Sequence, residues 1–311
     1  VRRIGGFLPM ENFFMISKFL DPQNDVAFKK IFGTEKNKDI LIHFLNDMLT
    51  FKEGAPIQEV TFLKTVQNPE VAFHKTSIVD ILCKDEKGNS YIVEMQVAKE
   101  KGFEKRAQYY AAKAYVSQIH VGGAYENLKE IIFLAISNFI IFPHKKSYKS
   151  DHVVLDKKSY DHDLKDFSFT FLELPKFNKR IEELKTIEDK WMYFFKNGRE
   201  TSSEEMMKVV GQDLIIERAY EELKGFSWKE EELRSYDQAQ KYEWDTIAIL
   251  AQKMDEGIEK GKEMGREEGR AEEKKKIVKA LFSQGMGENA IASALGLSLE
   301  EVVHILNLPT A

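Results

Sequence analysis

The chain has 311 residues, 43% of them hydrophobic, and a formal charge of −5, enough for one large domain and a smaller module. One cysteine, Cys83, excludes an internal disulfide framework and fits a reducing, cytoplasmic compartment. No apolar run reaches the ~18 residues of a membrane helix, so a soluble protein with no membrane partner is expected.

Charge is segregated along the chain. Residues 1–200 carry 31 Lys+Arg against 28 Asp+Glu, whereas 201–311 carry 15 against 23. A polyanionic partner should therefore meet the first part. The opening "VRRIGGFLPMENFFMISKFL" joins an arginine pair to apolar residues, but Pro9, Glu11 and Lys18 interrupt it and no small-residue cleavage site follows. No signal is expected there, and Met15 reads as the native start.

"DPQNDVAFKKIFG" is a turn followed by Phe28, Ile31 and Phe32 at helical spacing, with Gly33 as a stop. "NKDILIHFLNDML" repeats the helical pattern through Ile40, Phe44, Leu45 and Met48, and "IQEVTFLKTV" alternates like a strand. Two apolar runs then flank "KDEKGNS", a hairpin signal in which Gly88 is available for positive φ. "EKRAQYYAAKAYVSQI" predicts a helix and "LKEIIFLAISNFIIF" a buried strand. "HKKSYKSDHVVLDKK" reads as a solvated loop, with phosphate tracking as the competing role. "DFSFTFLEL" reads as an edge or half-buried strand. Helix, strands, helix, strand predicts a mixed α/β layer.

Beyond Ile181 the pattern is helical. Gly257, Gly261, Gly265 and Gly269 recur every fourth residue in the charged segment 255–276, which predicts either a helix or a linker. A short three-helix segment ends near Leu308. Its Ser298 and Glu301 form a capping box and Gly296 a turn, imitating a helix-turn-helix. Its second helix would present Glu300, Glu301 and His304, and two acids repel phosphate, so a packing module is expected rather than a DNA reader. Its apolar residues, among them Ile277, Val278, Ile291 and Val302, are expected to find partners on another subunit.

The hairpin carries an acid in each strand, Asp80 and Glu94. Side chains alternate across a strand, so Asp80 shares a face with Ile78 and Leu82, and Glu94 and Gln96 share one with Ile92. A three-residue loop 86–88 sets Asp80 opposite Glu94, and a loop 87–89 sets it opposite Gln96. Either register gathers two carboxylates and an amide on one face. Paired carboxylates raise each other's pKa unless a cation intervenes. A hard divalent ion is one solution; pairing with Lys29 or Lys30, or an exposed edge position, is the other. Asp25 is either a further ligand or a first-turn acid. The seven histidines show no metal-ligand spacing, and Cys83, on the opposite strand face, is expected in the core.

"DPQNDVAFKKIFG", "VDILCKDEKGNSYIVEMQ" and "RAQYYAAKAYVSQI", in this order, resemble the Rpn family of recombination-promoting, transposase-like nucleases within the PD-(D/E)XK superfamily. The resemblance spans roughly residues 19–197. It implies a restriction-endonuclease-like mixed sheet flanked by helices over 15–200. Beyond the resemblance, the helical pattern itself predicts a helical extension (201–254), the Gly-rich segment (255–276) and a helical module (277–308), and the glycine spacing and short apolar module predict homo-oligomer assembly through this C-terminal region. The resemblance implies a Mg²⁺-dependent DNA endonuclease, with Mn²⁺ as the alternative ion. Asp80 and Glu94 would be metal ligands, joined by the backbone carbonyl of Met95. Gln96 would be the third catalytic position, where the superfamily usually has lysine; an amide positions water or phosphate but carries no charge. Lys29, Lys30 and Arg106 are the candidate DNA-phosphate contacts, while Tyr109 and Tyr110 read as core. The competing expectation is a catalytically weak or inactive DNA-binding oligomer that keeps the fold.

Overall fold

The computed structural model describes residues 18–50, 56–67, 77–119 and 123–307; the expected start at Met15 and the end at Leu308 lie outside them. The chain forms two compact units, 1–244 and 245–311.

The first unit opens with α1 (Asp25–Phe32). Its N-cap is Asn24, whose side chain accepts from the N–H groups of Val26 and Ala27. Then comes α2 (Lys38–Met48). Phe28, Ile31 and Phe32 of α1 and Ile40, Phe44, Leu45 and Met48 of α2 are buried, as their helical spacing predicts. The strands follow: β1 (Val60–Phe62), β2 (Val66–Gln67), β3 (Ser77–Ile78), β4 (Ile81–Asp85) and β5 (Ser90–Gln96). Beyond them come α3 (Phe103–Val116), β6 (Ile131–Ser137), β7 (Lys149–Val153) and β8 (Phe167–Glu173). The helices α4 (Ile187–Asn197), α5 (Ser203–Val210), α6 (Leu214–Glu222) and the start of α7 (Glu230–Ser283) close the unit.

Six strands form one mixed sheet in the order β1-β4-β5-β6-β8-β7. β5, β6 and β8 run parallel, and the outer pairings are antiparallel. The chain returns from β5 to its parallel neighbour β6 through α3, as a parallel pairing requires. Alternation splits the apolar residues between two faces. Tyr91, Val93, Ile132, Leu134 and Ile136 join the core containing α1, α2 and α4–α6. Ile92, Ile131, Phe133 and Ala135 join Phe103, Ala107 and Ala111 of α3. Cys83 is buried in the first of these cores.

Three segments differ from the sequence expectation. The first hairpin strand is not continuous: β3 leaves the main sheet to pair with β2, and the chain bends at Asp80 before β4 begins. Of the two readings of β8, edge or half-buried, the second holds: it lies inside the sheet with its first half partly exposed. The edge is β7, drawn from the segment read as a loop; its polar pattern hid it, and Thr170 of β8 donates to Asp151 at 2.7 Å across the pair. The first unit also runs past residue 200, because Ile216, Ala219, Tyr220 and Trp228 sit in the same core as α1 and α2.

Residues 255–276 lie within α7. In the second unit, α8 (Glu288–Leu295) and α9 (Leu299–Asn307) follow α7, and Ser298 and Glu301 form the reciprocal capping bonds. Gly296, at φ +64, ends α8. Val278, Ile291, Ala292, Val302 and Ile305 are buried against one another. This corrects the expectation that Val278, Ile291 and Val302 need another subunit; Ile277 alone of those four stays exposed. No single described helix is long and apolar enough to cross a membrane; α8 and α9 reach that length only together, bent by 115°.

Candidate active site

The hairpin turn is organised by Asp85, a residue the sequence reading did not single out. Its Oδ1 accepts from the N–H groups of Lys87 and Asn89, both at 2.9 Å. Its Oδ2 accepts from Asn89 Nδ2 at 3.0 Å and from the Tyr91 hydroxyl at 2.9 Å. Gly88 sits at φ +90, where a side chain would be strained. These bonds close the loop at 86–88. Leu82 then pairs with Ile92 and Ile81 with Val93; one further step sets Asp80 opposite Glu94. The bend between β3 and β4 leaves Asp80 outside the ladder, and its Oδ2 accepts from the Met95 N–H at 2.9 Å. Met95 thus reaches the site through its backbone, though by its N–H.

Glu94 alternates with Ile92 and so faces α3, where it is only 5% exposed. Its Oε1 is buried and has no hydrogen-bond partner among the described residues. Burial and the neighbouring Asp80 charge push the Glu94 carboxyl well above the usual carboxylate range, against the pull of Arg106 and Lys29. Burial raises Asp80 to about 6, although the Met95 N–H and Lys29 favour its charged form. Two carboxylates in one place, one with an orphaned oxygen, form a site short of positive charge.

Lys29 is part of that site. Burying Phe28 and Ile31 inward turns Asp25 and Lys29 together to the other face of α1. Lys29 Nζ lies 2.6 Å from Asp25 Oδ1 and 3.4 Å from Asp80 Oδ1. Lys30 has other partners: its ammonium pairs with Glu232 and lies 4.4 Å from the centre of the Trp228 ring. Tyr109 is exposed rather than in the core, whereas Tyr110 packs against the α3 core.

Arg106, on α3, rests over the rings of Phe103 and Tyr110, 5.0 and 5.8 Å from their centres. One guanidinium nitrogen donates to Gln96 Oε1 and another to Glu100. The Gln96 Nε2 donates to the Ala98 carbonyl at 2.9 Å. Both ends of the amide are therefore engaged by the protein, and its guanidinium partner was not foreseen from the sequence. The only sequence signal for this link is the placement of Arg106 one turn after Phe103 and one before Tyr110.

Among the described residues no three His, Cys, Asp or Glu side chains converge as a metal cluster. Two carboxylate groups and an orphaned oxygen nonetheless fit a hard divalent ion, which takes one or two carboxylates and keeps several waters. A family model described as PD-(D/E)XK nuclease family transposase matches residues 22–253, a span containing every residue of this site. No curated protein and no solved structure matches the chain.

Proposed function

The chain belongs to the PD-(D/E)XK nuclease transposase family, and from that premise we propose that it is a divalent-metal-dependent DNA endonuclease. Asp80 and Glu94 would hold Mg²⁺, or Mn²⁺ in its place, with the Met95 carbonyl as the third protein ligand. Such an ion supplies Lewis-acid polarisation of the phosphodiester and eases the ionisation of water. The reaction is hydrolysis: a water oxygen bonds to phosphorus, the bond to the leaving 3′-oxygen breaks, and a proton passes to that oxygen. Asp80, fixed by the Met95 N–H, keeps one carboxylate aimed at the site, and Lys29 limits the charge that gathers around it.

The observation that carries this reading is the buried, unpartnered Oε1 of Glu94 opposite a second carboxylate. A buried acid with no partner costs stability, and a cation removes that cost. Asp80→Ala and Glu94→Ala should each abolish divalent-dependent cleavage of plasmid DNA while the fold persists. Cleavage surviving in both variants, after a contaminating nuclease is excluded, sinks the assignment.

One observation favours a DNA-binding protein without catalysis. Lys29 already pairs with Asp80 and so answers part of the charge without a metal. Calorimetric titration with Mn²⁺ separates the readings, because an inert site should bind no ion dependent on Asp80 and Glu94. The family's description supports a role in recombination or mobile elements, and the lone buried thiol is compatible with a reducing, cytoplasmic setting. Assembly through the C-terminal helices belongs to the same reading, since paired sites cut both strands. Trp244, Ile247, Ala251, Met254 and Ile258 recur at alternating three- and four-residue steps along α7 and are all exposed, the spacing of a coiled-coil seam.

A further inference from the structure

Building on the nuclease reading, we propose that Arg106 is the cationic catalytic residue, contacting the scissile phosphate, and that Gln96 is its positioning residue. Gln96 follows Glu94 by two residues on β5, so both lie on the strand face turned toward α3. An amide carries no charge and cannot stabilise the charge that gathers on phosphate oxygens during hydrolysis. A guanidinium can, and its planar fork of donors matches a phosphate. The amide is held at one end by the Ala98 carbonyl, and its Oε1 accepts from Arg106. Gln96 thereby fixes the direction of the guanidinium.

The remaining contacts of Arg106 fit this role. Phe103 and Tyr110 support the guanidinium plane, and Glu100 takes a second nitrogen. Its Nε is buried and has no partner among the described residues. The side chain is 23% exposed, and Gln96 and Glu100 occupy only two of the five guanidinium N–H donors, so the terminal nitrogens keep donor capacity for an arriving anion. Lys29, the other cation of the site, is held between Asp25 and Asp80. Arg106 stays protonated throughout: it contributes charge and orientation, while the proton transfers run between water and the leaving oxygen.

The test combines a double-mutant cycle in cleavage with salt-dependent DNA binding. Arg106→Gln should lower kcat by about 10²-fold, as removal of a transition-state donor does. Gln96→Ala should slow the wild type, yet change the Arg106→Gln variant by less than about twofold, because its role passes through Arg106. Binding of a fluorescein-labelled duplex in Ca²⁺, followed by anisotropy across a KCl series, gives a readout that a structural role would not move. Arg106→Gln should reduce the slope of log Kd against log salt by about one, the loss of one phosphate contact. Arg106→Lys, which keeps the charge, should restore most of that slope but little of the rate.

Independent, multiplicative losses from Gln96→Ala and Arg106→Gln overturn the pairing. An unchanged rate and slope in Arg106→Gln overturn the phosphate contact, with wild-type cleavage intact. A wild-type protein that cuts nothing, yet shows the Arg106-dependent slope, sinks the nuclease reading and leaves Gln96 and Arg106 as a phosphate-binding pair.

Discussion

At the scale of single residues, the acids of the site work against folding when no cation is present. Burial pushes the Asp80 carboxyl up to about 6 in the folded protein against an ordinary value of 3.8, and Glu94 is raised well above its own ordinary value. A group whose folded pKa is raised binds its proton more tightly in the native state. Its contribution is therefore most favourable at low pH and declines as pH rises from the unfolded toward the folded value. For Asp80 that window runs from about pH 4 to pH 6, and the raised Glu94 carboxyl contributes with the same sign. One pKa unit corresponds to about 1.4 kcal/mol, so the loss at Asp80 is on the order of a few kcal/mol, and Glu94 adds to it in the same direction. Glu94→Gln should flatten the decline and raise the melting temperature of the metal-free protein above pH 6. Adding Mn²⁺ should stabilise the wild type and not this variant. Calorimetric melts from pH 4 to pH 8 check both, and parallel curves for the two proteins would reject the coupling. The pairing of the two acids on one face was legible in the sequence, although Asp80 sits at a bend and only Glu94 in a strand. The Gln96–Arg106 bond was not, because it joins a strand end to a helix across an intervening loop, and spacing alone does not define that geometry.

At the scale of elements, the site depends on the hairpin register. Sequence alternation left loops 86–88 and 87–89 both open; the four bonds accepted by Asp85 select the first. Asp85 reads in the sequence as one more turn acid, so its role becomes visible only once Tyr91 is seen folding its hydroxyl back onto it. Asp85→Ala would leave the Lys87 and Asn89 N–H groups and the buried Tyr91 hydroxyl without this acceptor. Unsatisfied buried groups cost about 1–3 kcal/mol each, and partial rescue of the turn by water sets the expected loss near 2–4 kcal/mol. Urea denaturation should show that loss, together with weakened metal binding as Asp80 and Glu94 lose their alignment. Full stability in this variant would mean that β4 and β5 pair in register without the turn. Gly88→Ala should also destabilise, by about 1–2 kcal/mol, since the position holds a left-handed φ. The bend at Asp80 escaped the sequence because a continuous apolar run carries no sign that β3 pairs outside the main sheet. β7 escaped because an edge strand needs only one apolar face, and "KSDHV" looks like loop.

At the scale of the whole molecule, the open question is what the four glycines of α7 contribute. A β-carbon built on Gly257, Gly261, Gly265 or Gly269 meets nothing within 4 Å among the described residues. None of the four holds a positive φ. Alanine therefore fits each position, and each replacement should favour the helix by about 1 kcal/mol. Packing within one chain gives no reason to retain them, whereas close approach of a second helix does, because a methyl group on the stripe separates two backbones. Gly261→Ala/Gly265→Ala, made together, should thus have two opposite effects. In dilute solution, where subunits are apart, helix content should melt at a higher temperature than in wild type. At high concentration, light scattering should report a smaller assembly. A variant that is more stable yet assembles unchanged would remove the stripe from the interface and return it to an isolated, highly charged helix. Assembly, if observed, would then have to run through the row from Trp244 to Ile258. That row exposes large apolar side chains, so replacing Ile247 and Met254 with aspartate should then reduce the assembly where the alanine pair does not.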